Sequence, residues 1–397
     1  MARDALASAW RVLAAFGIYG LVLWPVLGGL GYDLIATEIG RLQGLHVNPS
    51  TLLGRDFVNI WHGGREALNG AEAIYDRDAY RATLRESADV FGIYAFSYPP
   101  HMLLFAIPFG WPSYPASLAI WTVGGLALFL HAARPWLRDA GLPLWAVLVL
   151  PGSVVNLWAG HFGFLIGALA LYGWRHAGTR PAASGAAFAL MSVKPHLGIL
   201  VPLILALRRD WRTIVWATLG TLILVLVSAL VFGPAAWTTW LTSTLGFQAG
   251  LIEPVALREY SYMMPSVART MLWASGPGVA ATAGTLAFGA AALALLLWPA
   301  LRGASLRSLG LLSLAATPLL LPYVFTYDLV AMSLVALLWA ARSPARWWSP
   351  ERLAYGTAFA VPLVQVPLAR VGIWLSPIAM LAALAFAAWR AGKDAER

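Results

Sequence analysis

No cysteine occurs in the 397 residues, so disulfides and thiolate-held metals are excluded. Charge is scarce as well. Asp, Glu, Lys and Arg make up 11% of the chain, against about a quarter in an ordinary soluble domain. That excludes a water-soluble globule. There is no phosphate-cradling glycine motif and no metal-ligand spacing such as H-E-x-x-H. Basic runs, internal repeats and a cytosolic domain are also missing, so the formal charge of +9 does not describe a nucleic-acid surface.

What is present is apolar. Hydrophobic residues make up 60% of the chain and the mean hydropathy is +0.70. Apolar runs recur to the C-terminus, as in a polytopic, all-helical membrane protein. The first run follows Arg3 and Arg11 like a signal sequence, but no clean cleavage site follows it, so it reads as an uncleaved first helix. Seventeen of the 27 Lys and Arg fall in seven loop or terminal clusters: 3/11, 134/138, 175/180, 208/209/212, 302/307, 342/346/352 and 390/393/397. By the positive-inside rule these lie in the cytoplasm with both termini. Spans are then expected near 10–31, 98–133, 142–156, 161–174, 182–193, 195–207, 213–232, 278–300, 306–321, 325–341, 353–368 and 371–390, about 12 in all (11 to 13).

Several spans are short. At 1.5 Å per residue, 182–193 and 195–207 reach about 18 to 20 Å, well under the ~30 Å hydrocarbon core. Charge placement makes them a helical hairpin with Lys194-Pro195-His196 at its outer apex, and 142–174 a second with Trp158-Ala159-Gly160-His161 at its apex. Residues 98–133 are too long for one span, which predicts a re-entrant piece over Tyr98–Phe109, broken at Trp111-Pro112-Ser113-Tyr114-Pro115. The chain reads as one integral membrane domain, 1–397, with outer loops at 32–97 and 233–277. The first loop holds Asp33, Glu38, Asp56, Glu66, Glu72, Asp76, Asp78, Glu86 and Asp89, half of the 18 acidic residues. Most of these carboxylates are expected on solvated helices.

This topology gathers Asp56, Tyr98, His101, His161, Lys194, His196, Tyr327 and Asp328 on the outer face. Ionisable groups at membrane depth are costly and mark functional paths. Each has a plainer reading. Asp56 and Asp328 could cap the helices that follow them; Tyr98-Pro99-Pro100 could only break the chain at the interface; the histidines could be structural; Lys194 could snorkel. His62 reads as a surface residue of a loop helix, and Glu253, Arg258 and Glu259 as a solvated loop face. Chemically, a carboxylate opposite Lys and His suits deprotonating a hydroxyl while an anionic leaving group is stabilised. A lysine at headgroup level suits a phosphate. Without a nucleotide motif, the activated substrate is expected to arrive as a lipid phosphate.

Asp56-Phe57, Trp61, Gly70, Tyr75-Asp76, Tyr98-Pro99-Pro100-His101, Gly160-His161-Phe162-Gly163, Lys194-Pro195-His196-Leu197-Gly198, Thr317-Pro318, Tyr323 and Tyr327-Asp328-Leu329 together resemble glycosyltransferase family 87, over about residues 50 to 340. The resemblance implies a GT-C fold and inverting transfer of a hexosyl, foremost mannosyl, group from a polyprenyl-phosphate sugar to a lipid or glycan acceptor. It implies no cofactor and no metal, and a site facing the periplasm or exterior of the plasma membrane. It makes Asp56 the base, and leaves Lys194, His196, His161, Tyr98, His101, Tyr327 and Asp328 for substrate binding. Relatives commonly carry Gly-Gln where this chain has Gly160-His161. A secondary transporter or lipid flippase is the alternative, since broken helices and polar groups at midplane also build transport sites. A catalytically silent scaffold of the same fold is a third possibility.

Overall fold

A computed structural model describes residues 10–396 other than 13, 49, 93 and 253–260. Glu253, Arg258 and Glu259 therefore lie outside the described residues. The chain is 77% helical, and the sheet among the described residues is one hairpin pairing His46–Asn48 with Thr51–Leu52. Among the described residues three helices are long and apolar enough to cross a membrane: Tyr114–Asp139, Trp211–Phe232 and Val279–Leu301. Trp211–Phe232 leaves Leu222, Ile223, Leu226 and Leu230 each at least 57% exposed. Such a face suits hydrocarbon and not water, because a helix satisfies its own backbone there.

The first long helix runs Ile18–Gly40, beginning later than the expected 10–31 span and reaching well into the expected outer loop. Its start is set at Gly17, whose φ of +63° turns the chain so tightly against the 347 loop that a Cβ would lie 2.1 Å from the Trp347 carbonyl oxygen. Its end is not apolar, and tertiary contacts of Glu38 hold it in place, as described below. Over 98–133 the expected break is found between helices His101–Gly110 and Tyr114–Asp139.

Both short hairpins close at their feet. Helices Pro151–Ala159 and Gly163–His176 return to Asp139, whose carboxylate takes the Arg175 guanidinium at 2.5 Å. Helices Pro181–Leu190 and Val201–Leu207 return so that the Gly178 N–H donates to Asp210 at 2.8 Å. His161 and Lys194 are thereby carried to the opposite end.

The first loop packs on that end through helices Phe57–Gly70 and Arg77–Ala88. His62 corrects its sequence reading: it is fully buried, its two ring nitrogens bonded to Thr83 Oγ1 (2.9 Å) and Ser87 Oγ (3.0 Å). Burial, with Arg65 nearby, pushes it down to about 4, so it is neutral near pH 7 and joins the two loop helices. Asp76 caps the second of them by accepting from Asp78 and Ala79, and the Tyr75 hydroxyl donates to the Tyr98 carbonyl at 3.0 Å. Asp33, Glu72, Asp76, Asp78, Glu86 and Asp89 are exposed, as expected.

The Phe57–Gly70 helix crosses His101–Gly110 backbone to backbone. A Cβ on Gly64 would lie 2.1 Å from the Ala106 carbonyl oxygen, and one on Gly110 2.4 Å from the Arg65 nitrogen. Backbone cannot yield as a side chain does, so Gly64→Ala is expected to destabilise by about 1–3 kcal/mol. A thermal melt in detergent reads this directly; an unchanged midpoint would mean that the crossing has slack.

Candidate active site

Four separate segments meet at the end where the two hairpin apices lie. The Lys194 backbone (φ −137°, ψ 69°) breaks the second hairpin between two short 3₁₀ turns. The side chain it releases is buried, with its ammonium 2.5 Å from Asp328 Oδ1. Asp328 lies in the 3₁₀ turn Thr326–Leu329 that leads into helix Val330–Arg342. Its other oxygen accepts the Phe325 N–H at 3.3 Å. The capping role and the ion-pair role are thus both met by one carboxylate, whose side chain is only 1% exposed.

His161 fills the space between them. Its ring stacks on Tyr327 at 4.0 Å and 20°, with Lys194 Nζ 3.4 Å from Nδ1 and the Tyr98 hydroxyl 3.2 Å from Nε2. An ammonium can only donate, so Nδ1 accepts and the ring proton sits on Nε2, toward Tyr98. A glutamine could offer the same acceptor and donor, which gives the histidine found here a physical equivalent. The glycines around it are there for space. Gly160 (φ +60°) would put a Cβ 2.7 Å from the Gly54 carbonyl oxygen, and Gly163 one 2.1 Å from that of Tyr327.

Asp56 comes from the first loop. It precedes the Phe57–Gly70 helix, but its side chain makes no capping bond. It lies close to the Tyr327 hydroxyl and in the fields of Arg55, Lys194 and Asp328. Burial pushes its carboxyl above the ordinary carboxylate range, against the pull of Tyr327, Arg55 and Lys194. Two carboxylates therefore flank Tyr327, and they differ. Asp328 is held by the Lys194 ammonium and the Phe325 N–H, whereas Asp56 has no ion pair among the described residues and is free to take a proton.

The remaining sequence candidates are adjacent but separate. His101 is buried, bonded to Ser192 Oγ at 3.1 Å and stacked on Trp237 at 5.7 Å. That is packing against the second loop's helix Pro234–Ile252, whose Trp240 also donates to the Ser97 carbonyl. His196 rests against Tyr323, ring centroids 5.5 Å apart, with Nε2 buried and unpartnered. Three residues that the sequence did not single out also belong here. Arg55 donates to both oxygens of Glu38 at 2.7–2.8 Å, and the Trp158 indole donates to Glu38 at 2.6 Å. The available signals were the position of Arg55 beside Asp56 and that of Glu38 as the last acid before Asp56.

A cavity of about 480 Å³ leads away from the cluster between helices His101–Gly110, Tyr114–Asp139 and Gly163–His176. Phe105, Ile120, Leu128, Phe164 and Leu190 line it, and its polar end is formed by Asn156, Gly160 and His161. Among the described residues no three His, Asp or Glu side chains converge as a metal site requires.

The chain matches the model of glycosyltransferase family 87 over residues 96–322, a stretch containing Tyr98, His101, His161, Lys194 and His196 but neither Asp56 nor Asp328. No curated protein and no solved structure matches the chain.

Proposed function

The chain belongs to glycosyltransferase family 87 and is a membrane glycosyltransferase; from that premise we propose that it moves a hexosyl, foremost mannosyl, group from a polyprenyl-phosphate sugar to a hydroxyl of a lipid or glycan acceptor, outside the cytoplasm and with inversion. The observation that carries this reading is the pairing of one available carboxylate with a buried cation beside His161, which lines the polar end of an apolar cavity.

Asp56 takes the acceptor's proton as the acceptor oxygen bonds to the anomeric carbon. On the opposite face the carbon–oxygen bond to the phosphate breaks, and the phosphate leaves with the electron pair. Lys194 has three donors. Asp328 and His161 Nδ1 take two and so fix the side chain, leaving the third for the phosphate. His196, with an unpartnered buried nitrogen, and Tyr98 and His161 complete the donor site. The apolar cavity supports a lipid-linked donor, since it would bury the first isoprene units and seat the phosphate beside His161.

Purified protein in lipid nanodiscs, given polyprenyl-phosphate mannose labelled on the sugar and a total lipid extract, is expected to form a labelled product. Gly124 lines the cavity and a Cβ there would meet nothing within 4 Å, so Gly124→Leu is expected to fold and to raise KM for the lipid-linked donor several-fold. Uptake of the label into proteoliposomes with no covalent product would instead support a transporter. An unchanged KM in the Gly124 variant would remove the cavity from donor binding.

A further inference from the structure

The turn that presents Asp56 is built on an unfavourable backbone. Gly54 has φ +79°, and Arg55, which is not glycine, has φ +37°. A side-chain-bearing residue holds the left-handed region only where its surroundings enforce it. Three contacts do so here. The Tyr114 hydroxyl donates to the Leu53 carbonyl at 2.6 Å. The Gly54 carbonyl rests in the space left by the absent Cβ of Gly160. The third is the Arg55 guanidinium, whose Nη2 lies 2.7–2.8 Å from both oxygens of Glu38.

Glu38 does more than neutralise Arg55. Its Oε2 also accepts the Trp158 indole N–H at 2.6 Å, and Trp158 stands two residues before Gly160 on the hairpin that carries His161. One carboxylate on the first helix thus binds both the loop that carries the base and the hairpin that carries the phosphate-side histidine. We infer that Glu38 is a positioning residue which, through Arg55 and Trp158, holds Asp56 in register with His161 and Lys194. Its catalytic consequence rests on the function proposed above; its structural consequence does not.

Glu38 also sets the charge that Asp56 meets. The groups facing Asp56 are Arg55 on its own turn, Tyr327 and Asp328 from the 326–329 turn, Lys194 from the second hairpin, Tyr98 at the loop's end and Tyr114 at the start of the long helix. Of these, only Arg55 carries a charge that Glu38 offsets directly. Removing the Glu38 charge leaves Arg55 uncompensated and favours ionised Asp56. Removing Arg55 does the reverse.

The test compares the parent chain with Glu38→Gln, Glu38→Asp and Arg55→Gln in nanodiscs, using polyprenyl-phosphate mannose as donor, with hydrogen exchange of residues 50–60 as a second readout. Glu38→Gln is expected to lower kcat between about ten- and a hundredfold, the scale of a displaced catalytic group, with little change in KM for the donor. Its acid limb moves to lower pH, that of Arg55→Gln to higher pH, and Glu38→Asp recovers part of kcat. Exchange over 50–60 rises in Glu38→Gln. An unchanged kcat, acid limbs that stay put or move together, or unchanged exchange overturns the inference, since a role in folding alone lowers activity without moving the limbs. If the parent transfers no sugar, the proposed function fails, and exchange still decides whether Glu38 holds the turn.

Discussion

Asp56→Asn abolishes sugar transfer, with an expected loss of about 10²–10⁴-fold, in a chain that folds as before. The substitution is nearly isosteric, and its neighbours explain why the fold tolerates it. The Asp56 side chain caps nothing, so the Phe57–Gly70 helix loses no partner. Tyr327, whose hydroxyl lies close to the carboxylate, can face an amide oxygen equally well. What the amide cannot do is accept the acceptor's proton. The parent enzyme's pH profile carries a related signature. A base works only when ionised, and burial raises the Asp56 carboxyl above its usual range. The acid limb of kcat/KM is therefore expected above the ordinary aspartate value of about 3.9. Steady-state transfer across pH, with a thermal melt of the variant, measures both. A well-folded Asp56→Asn protein with parent activity would take the base away from residue 56.

The second large effect is at Lys194. Lys194→Met keeps the length of the stem and removes the charge, leaving Asp328 inside the protein with a 1% exposed side chain and only the Phe325 N–H as partner. Breaking a buried ion pair from one side costs about 3–5 kcal/mol, and a marginally stable fold registers that plainly in its melting temperature. Activity falls for this reason and for the loss of the phosphate's cation, and the single variant cannot separate the two. Lys194→Met combined with Asp328→Asn can. Neutralising both partners removes the stranded charge, so most of the stability returns, while transfer stays down by about 10²–10³-fold, as expected when a charge-stabilising donor is lost. Recovery of transfer together with stability would make Lys194 merely the counterion of Asp328.

The membrane class, the positions of most helices and the two hairpin apices were legible because they depend on local quantities. The break at residues 111–113 follows from proline at 112 and 115, and the hairpins follow from lengths too short to span and from charge at both feet. The first helix runs past its apolar stretch to Gly40, and its extent is not legible because its last turns are polar. Glu38 keeps them helical by binding Arg55 and Trp158, and nothing between residues 32 and 40 announces that. The burial of His62 is illegible for a similar reason. On a helix with this polarity it reads as exposed, until a second loop helix supplies Thr83 and Ser87.

Within the site the sequence named residues that meet in space, without their relations. Asp56, Asp328 and Lys194 could be placed on one face from topology and from the family motifs. That Asp328 is locked by Lys194 across 134 positions, that Asp56 remains available, and that Glu38 joins Arg55 to Trp158 across 120 positions were decided by tertiary structure alone. The reason is physical. Apolar periodicity and loop charge act over a few residues and can be read along the chain. Which carboxylate is saturated and which can take a proton depends on partners brought together only when the hairpins, the loop and the last turn pack.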